Sequence, residues 1–234
     1  MSVSNGKPEA SGRVPLEPLV RGKEWLRHRR RAPLSFSISI GPMRDKHGLR
    51  RSLRECRKAL GVPARATSAR QVARRGLPLL RRARHVGIYW PVGSELDPRP
   101  LAYALMRAHR AVYLPVADRH PGRPLVFLPW RPPFVRGSLD IPEPRWGRRM
   151  RARGLDAVLV PLVGFDARGW RLGQGGGHYD RTFGFVRRAR GRPVLIGLAY
   201  ECQRLASVPR EGHDVRLHAV LTERRLYRAQ DRLA

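Results

Sequence analysis

Cysteine is nearly absent from this chain, with two among 234 residues, Cys56 and Cys202. There is no Cys-x-x-Cys and no histidine pairing beside either one. That excludes a disulfide framework and a structural zinc site, and leaves a reducing cytoplasm as the default compartment. Long apolar runs are missing as well; none approaches the roughly 20 residues that span a bilayer. The N-terminal MSVSNGKPEASGRVPLEPLV lacks the basic-then-apolar order of a secretory signal. No internal repeat is visible. Acidic residues are scarce: 18 Asp and Glu stand against 48 Lys and Arg, for a formal net charge of +30.

What is present suits one medium domain with a single substantial core, since 41% of residues are hydrophobic. The charge makes nucleic acid an obvious partner, because neutralising phosphates releases counterions. Yet the positive residues are nearly all arginine and spread along the whole chain. Nucleic-acid surfaces gather charge on one face and interleave aromatics. Nucleic acid is therefore not favoured over a solvated arginine-rich surface, and the same field would also attract a small polyanionic substrate.

Residues 1–42 mix Pro, Gly, Ser and basic residues without periodicity and read as a disordered extension. Regular structure begins near Met43. The stretch RDKHGLRRSLRECRKAL places Leu49, Leu53, Cys56 and Leu60 at spacings of four, three and four, one apolar stripe on a basic helix. Gly61 and Pro63 should end it. TSARQVARRGLPLLRRA offers a second helix starting at Thr67 or Ser68, with Pro78 interrupting it. Short apolar strands then alternate with helices. HVGIYWP, AVYLPV, PLVFLPW, DAVLVPLVGFD, PVLIGLAY and LHAVLTE read as strands; PRPLAYALMRAHR and YDRTFGFVRRA read as helices. The pattern predicts an α/β fold, a single three-layer domain over residues 43–234 with a mostly parallel sheet flanked by helices. Ligands in such sheets bind outside the carboxyl ends of the strands.

One of those strands leads into RLGQGGGHYD, from Arg171 to Asp180. A dinucleotide fingerprint needs a third glycine where His178 stands, and a Walker A loop needs Gly-Lys-Ser/Thr, which is absent. A flexible surface turn is the plain alternative. The flanks weigh against it: Arg171 precedes the glycines and a helical pattern opens at His178. Consecutive glycine amides before a helix form a concave anion site. Arginine adds a bidentate grip on phosphate, and Asp180 could hold a divalent ion bridging phosphate oxygens.

The longer stretch DAVLVPLVGFDARGWRLGQGGGHYDRTF resembles the signature region of the 5-formyltetrahydrofolate cyclo-ligase, or 5,10-methenyltetrahydrofolate synthetase, family. That signature is a strand, a Pro-x-x-x-Phe-Asp turn and an Arg-x-Gly-x-Gly-x-Gly-Tyr-Tyr-Asp loop. Here Pro161, Phe165, Asp166, Arg171, Gly173, Gly175, Gly177, Tyr179 and Asp180 fill those places. KHGLR resembles the family's N-terminal Lys-x-x-x-Arg helix, and IYWPVGSELD its strand followed by an acidic residue. IPEP resembles a Gly-Ile-x-Glu-Pro turn, and HDVRLHAVLTE the closing strand. The likeness covers about residues 43–228.

The resemblance implies a monomeric, cytoplasmic ligase of folate one-carbon metabolism. With ATP as co-substrate and Mg2+ as cofactor, it would close the ring of 5-formyltetrahydrofolate, polyglutamylated forms included, and release ADP and phosphate. It assigns Lys46 and Arg171 to catalysis. ATP would be held by Lys46, Arg50 and the run Arg171, Leu172, Gly173, Gln174, Gly175, Gly176, Gly177, His178 and Tyr179. The folate would meet Trp90, Glu95 and Gln174 to His178. Asp180 and Asp214 match the magnesium ligands. Without the resemblance, Lys46 and Arg50 read as an exposed basic face, Trp90 as core, Glu95 as a helix-start charge and Asp214 as a turn residue. His178 departs from the family's first tyrosine and Gln174 from its usual aromatic or basic residue.

Overall fold

Five of the short apolar runs pair in parallel at the centre of the fold. The computed structural model describes residues 45–118, 120, 122–187 and 193–229. The extension expected over residues 1–42 lies outside them. Helices α1 (Lys46–Ala59) and α2 (Gly61–Leu79) come first, then strand β1 (His85–Gly87), helix α3 (Arg99–Arg107) and strand β2 (Ala111–Val116). Strands β3 (Val126–Pro129), β4 (Phe134–Arg136), β5 (Pro142–Pro144) and β6 (Met150–Arg151) follow. After them lie β7 (Ala157–Pro161), β8 (Gly164–Asp166), β9 (Arg171–Leu172) and helix α4 (His178–Phe183). The chain closes with β10 (Val194–Leu198), β11 (Arg204–Leu205), β12 (Ala219–Leu221) and β13 (Leu226–Arg228).

Eight strands form one sheet in the order β13-β12-β10-β7-β1-β2-β3-β6. Its centre, β12 to β2, is parallel, and β13, β3 and β6 add antiparallel edges. The central strand β7 is buried on both faces, which is why it reads as an unbroken apolar run. Its side chains alternate. Leu159 joins Val72, Leu101 and Leu105 from α2 and α3 on one face. Val158 and Val160 join Phe183 from α4 and Phe127 on the other. This is the expected three-layer α/β architecture. Among the described residues no helix is long and apolar enough to cross a membrane.

Two helix boundaries differ from expectation. α2 starts at Gly61, not at Thr67 or Ser68, because Gly61 at φ +62° turns the chain and Pro63 fits within a first helical turn. Pro78 does not interrupt the helix but sits one residue from its end. The sequence argued against a disulfide framework, yet the two cysteines meet. Cys56 of α1 lies beside Cys202, with Cα atoms 6.5 Å apart across 146 residues of sequence.

Candidate active site

Helix α1 presents two adjacent stripes. Asp45 caps it, accepting from the backbone N–H groups of His47 at 2.9 Å and Gly48 at 3.0 Å. These bonds hold its carboxyl below the usual carboxylate range. The apolar stripe puts Leu49 and Leu53 against Val163, Leu172 and Leu205. Burying each leucine contributes roughly 1.5–3 kcal/mol, more than exposed ion pairs do, so the leucines set where the helix lies. Beside them Lys46, Arg50, Arg54 and Arg57, at spacings of four, four and three, line a cavity of about 760 Å³. Lys46 Nζ meets Glu211 Oε1 at 2.5 Å, and Arg50 Nε donates to the Gly173 carbonyl at 2.9 Å.

The glycine loop forms the facing wall. Strand β9 pairs antiparallel with β8 and buries Arg171 at its start. Arg171 Nη2 donates to Asp180 Oδ1 at 2.7 Å, and Nη1 donates to the Val215 carbonyl. The same Asp180 oxygen accepts from the Val215 backbone N–H at 2.9 Å. Loop ends and the 211–215 turn are thus tied at one corner. Gly175 at φ +111° and Gly177 at φ +64° adopt backbone that other residues rarely enter. At Gly173 a side-chain carbon would meet nothing within 4 Å. Helix α4, six residues long, is too short to lend much dipole, so the loop amides themselves make the concavity.

The other side of the cavity is aromatic and acidic. Trp90 stacks on Trp130 with centroids 5.5 Å apart and touches Phe134 at 5.3 Å. Buried Tyr89 donates to the Leu96 carbonyl at 2.7 Å. Tyr200, its hydroxyl pushed up to about 12 by burial, donates to the Glu95 carbonyl at 3.3 Å. These bonds fix the segment carrying Glu95. Its Oε1 accepts from Gln174 Nε2 at 3.1 Å and its Oε2 from the Val92 N–H at 3.1 Å. Gln174 Oε1 accepts in turn from Arg54 Nη2 at 2.7 Å, so one side-chain chain spans α1, the glycine loop and the acidic loop. His178 also lines the cavity, with burial and then Arg181 holding its ring below the usual histidine value.

Asp180 and Asp214 approach the same corner. Asp214 Oδ2 accepts from the Glu211 N–H at 2.7 Å. Both carboxylates line the cavity and each has an oxygen outside these bonds. Among the described residues no group of three or more His, Cys, Asp and Glu side chains gathers as a metal site. Two hard oxygen donors fit a magnesium ion, which keeps waters and substrate phosphates as its remaining ligands.

Every site residue expected from the sequence, Lys46 through Asp214, lines this one cavity. Its position follows from topology. From β1 the chain moves outward to β2, and from β7 it moves the opposite way to β10. The crevice between β1 and β7 is therefore a switch point, at the carboxyl ends of the strands. Among the lining residues that had no role assigned are Tyr89, Arg57, Glu143 and Glu211. Arg57 continues the spacing of Lys46 and Arg50. Glu143 is the acid of IPEP, and burial raises its carboxyl above the usual value.

The 5-formyltetrahydrofolate cyclo-ligase family model matches residues 42–223. The chain is 35% identical over 181 residues to the 5-formyltetrahydrofolate cyclo-ligase of Escherichia coli, covering 75% of this chain and 98% of that protein. It is 33% identical over 190 residues to the enzyme of the same name from Mycolicibacterium smegmatis, covering 78% and 95%. The solution structure of Aquifex aeolicus 5,10-methenyltetrahydrofolate synthetase superposes with a TM-score of 0.68 at 28% identity, over 81% of this chain and 95% of that one. With this match spanning most of the domain, the chain belongs to the 5-formyltetrahydrofolate cyclo-ligase family.

Proposed function

We propose that this protein converts 5-formyltetrahydrofolate to 5,10-methenyltetrahydrofolate at the expense of ATP, with magnesium, releasing ADP and phosphate. One observation carries the reading beyond family membership. A single cavity joins a cationic, glycine-lined wall suited to phosphates to an aromatic and acidic wall suited to a flat heterocycle. The chemistry needs both at once. An N-formyl amide is a weak electrophile, and its oxygen leaves poorly. Attack of the formyl oxygen on the γ-phosphorus expels ADP and leaves the phosphoryl group on that oxygen, an imidate-like phosphate whose carbon is bonded to N5. N10 then attacks the formyl carbon and loses its proton, and phosphate departs with the former formyl oxygen.

The protein's share is positioning and charge neutralisation. Lys46, Arg50 and the loop amides of Gly173 to Gly177 would hold the triphosphate. Arg171, clamped to Asp180 and Val215, would present its guanidinium as a fixed positive edge. Trp90 would cover the pterin face while Glu95 accepts from its N–H groups. Asp180 and Asp214 would hold magnesium, which when bound neutralises phosphate charge. Gln174, bonded to Glu95 on one side and Arg54 on the other, would keep the two substrates in register. The test is to incubate the purified protein with 5-formyltetrahydrofolate and MgATP and follow methenyl absorbance. A folded protein that gives no ATP-dependent signal overturns the reading.

A further inference from the structure

Arg57 stands apart from the other cations of α1. It is 4% exposed, its Nε is buried without a hydrogen-bond partner among the described residues, and it lines the cavity. A buried guanidinium left unsatisfied is costly, and native proteins rarely keep one without a use. Among the described residues no acceptor meets that Nε. Glu95 is the charged neighbour that most favours its cationic form, yet both Glu95 oxygens are engaged by Gln174 and Val92. The missing partner is then an acceptor that arrives with a ligand.

Position narrows the choice of acceptor. Arg57 is a buried part of the cavity lining, and the charges of Glu95, Tyr89 and Tyr200 act on it. The glutamate tail of a folate carries charged carboxylates and belongs at the opening, where water solvates them. The phosphates belong at the glycine loop. What reaches the interior is the pterin. Its hydrogen-bonding edge offers a fixed pattern: one acceptor, the 4-oxo oxygen, beside two donors, N3–H and the 2-amino group. A carboxylate satisfies the donors and repels the acceptor. Glu95 alone therefore reads only part of that edge.

We propose that Arg57 is a specificity-determining residue that donates to the 4-oxo oxygen of the pterin, completing with Glu95 the complement of that edge. This rests on the cyclo-ligase reading and deepens it. Arg57 then selects 4-oxo pterins against 4-amino pteridines, which present a donor where the guanidinium also donates. Charge-assisted hydrogen bonds are strong enough to make that selection tenfold or more.

The experiment is equilibrium binding of 5-formyltetrahydrofolate and of its 4-amino-4-deoxy analogue to the full chain and to Arg57→Met. Wild type should bind the 4-oxo ligand at least about tenfold more tightly, and the variant should lose at least about tenfold of that preference, any remainder being Glu95's reading of N3–H, which the analogue lacks. Should the methionine variant fail to fold, Arg57→Lys, which keeps charge but loses the planar fork, carries the same comparison and should fall between. A variant that keeps the wild-type preference overturns the proposal, as does a wild type that turns over 5-formyltetrahydrofolate yet shows no preference. A wild type that neither binds nor converts 5-formyltetrahydrofolate overturns the cyclo-ligase reading instead.

Discussion

Arg171 and Asp180, the two ends of the glycine loop, are joined to each other: Arg171 Nη2 donates to Asp180 Oδ1 over 2.7 Å, with the arginine side chain 5% exposed and the carboxylate 19%. The loop between them is thus closed at its base by this pair. The pair also fixes the 211–215 turn, since Val215 donates to the same oxygen. Asp180 thus serves the fold besides the metal-holding role proposed for it, and substitutions can separate the two.

Asp180→Asn keeps an oxygen for Arg171 and Val215 but removes the negative charge. It should fold with little loss, while turnover with MgATP falls at least about a hundredfold, the scale seen when a stabiliser of developing charge is lost. Asp180→Ala also strands the buried guanidinium and should cost about 3 kcal/mol in addition. Urea unfolding of both variants beside the methenyl absorbance assay separates the effects. Near wild-type turnover in the asparagine variant would refute the metal assignment.

Gly173 is not needed by its own protein. Its φ is not in the left-handed region and an added Cβ would meet nothing within 4 Å. Among the described residues nothing excludes a methyl there, which accords with the phosphate-holding role proposed for this loop. Gly173→Ala should leave stability within about 0.5 kcal/mol of wild type, yet weaken ATP binding at least about tenfold by filling phosphate space. Gly175→Ala, forced into φ +111°, should instead lose roughly 1–3 kcal/mol of stability. Calorimetric ATP binding and thermal unfolding check both; unimpaired ATP affinity in Gly173→Ala would mean the phosphates lie elsewhere.

The elements legible in the sequence were those whose pattern is set by burial. Strand β7 and helix α1 announce themselves because apolar periodicity reports the core directly, and the glycine loop because its spacing is unusual. The ribbon β4–β5 was not legible. Its second strand is Pro142-Glu143-Pro144, and prolines mark a loop until the structure shows an edge ribbon that needs few backbone donors. Arg57 was hidden by its company. In a chain of +30 net charge a further arginine on a basic helix reads as solvated surface, and only packing shows that this one is buried. Cys56 and Cys202 likewise give no local sign of meeting.

Lys46 is held by Glu211 in an exposed contact of 2.5 Å, and the lysine in turn keeps the Glu211 carboxyl below its ordinary value. An incoming phosphate must compete with that carboxylate. Lys46→Gln should raise the KM for ATP about tenfold and leave the unfolding midpoint unchanged, since an exposed pair adds little to stability. Glu211→Gln should act in the opposite sense, lowering the KM for ATP modestly and most at low ionic strength. Steady-state kinetics over a salt series test this. If both variants shift KM the same way, Glu211 is helping to build the site rather than occupying it.

His178 replaces the tyrosine expected from the family pattern, and the structure makes it a neutral ring near pH 7. Burial, then the Arg181 charge, lowers its folded-state value beneath the usual 6.5. As pH falls below about 6.5 the unfolded chain takes up this proton first, so the unfolded state binds more protons and stability declines with falling pH. The decline should level off once pH passes below the folded-state value. His178→Tyr removes that component without changing charge at neutral pH. Its stability relative to wild type should therefore rise between pH 7.5 and 5.5, values chosen to straddle the usual histidine range of about 6.5, while turnover at neutral pH stays within about tenfold. Denaturant midpoints at the two pH values provide the check. A difference that does not vary with pH would show that the His178 ring titrates in the folded protein as it does in water.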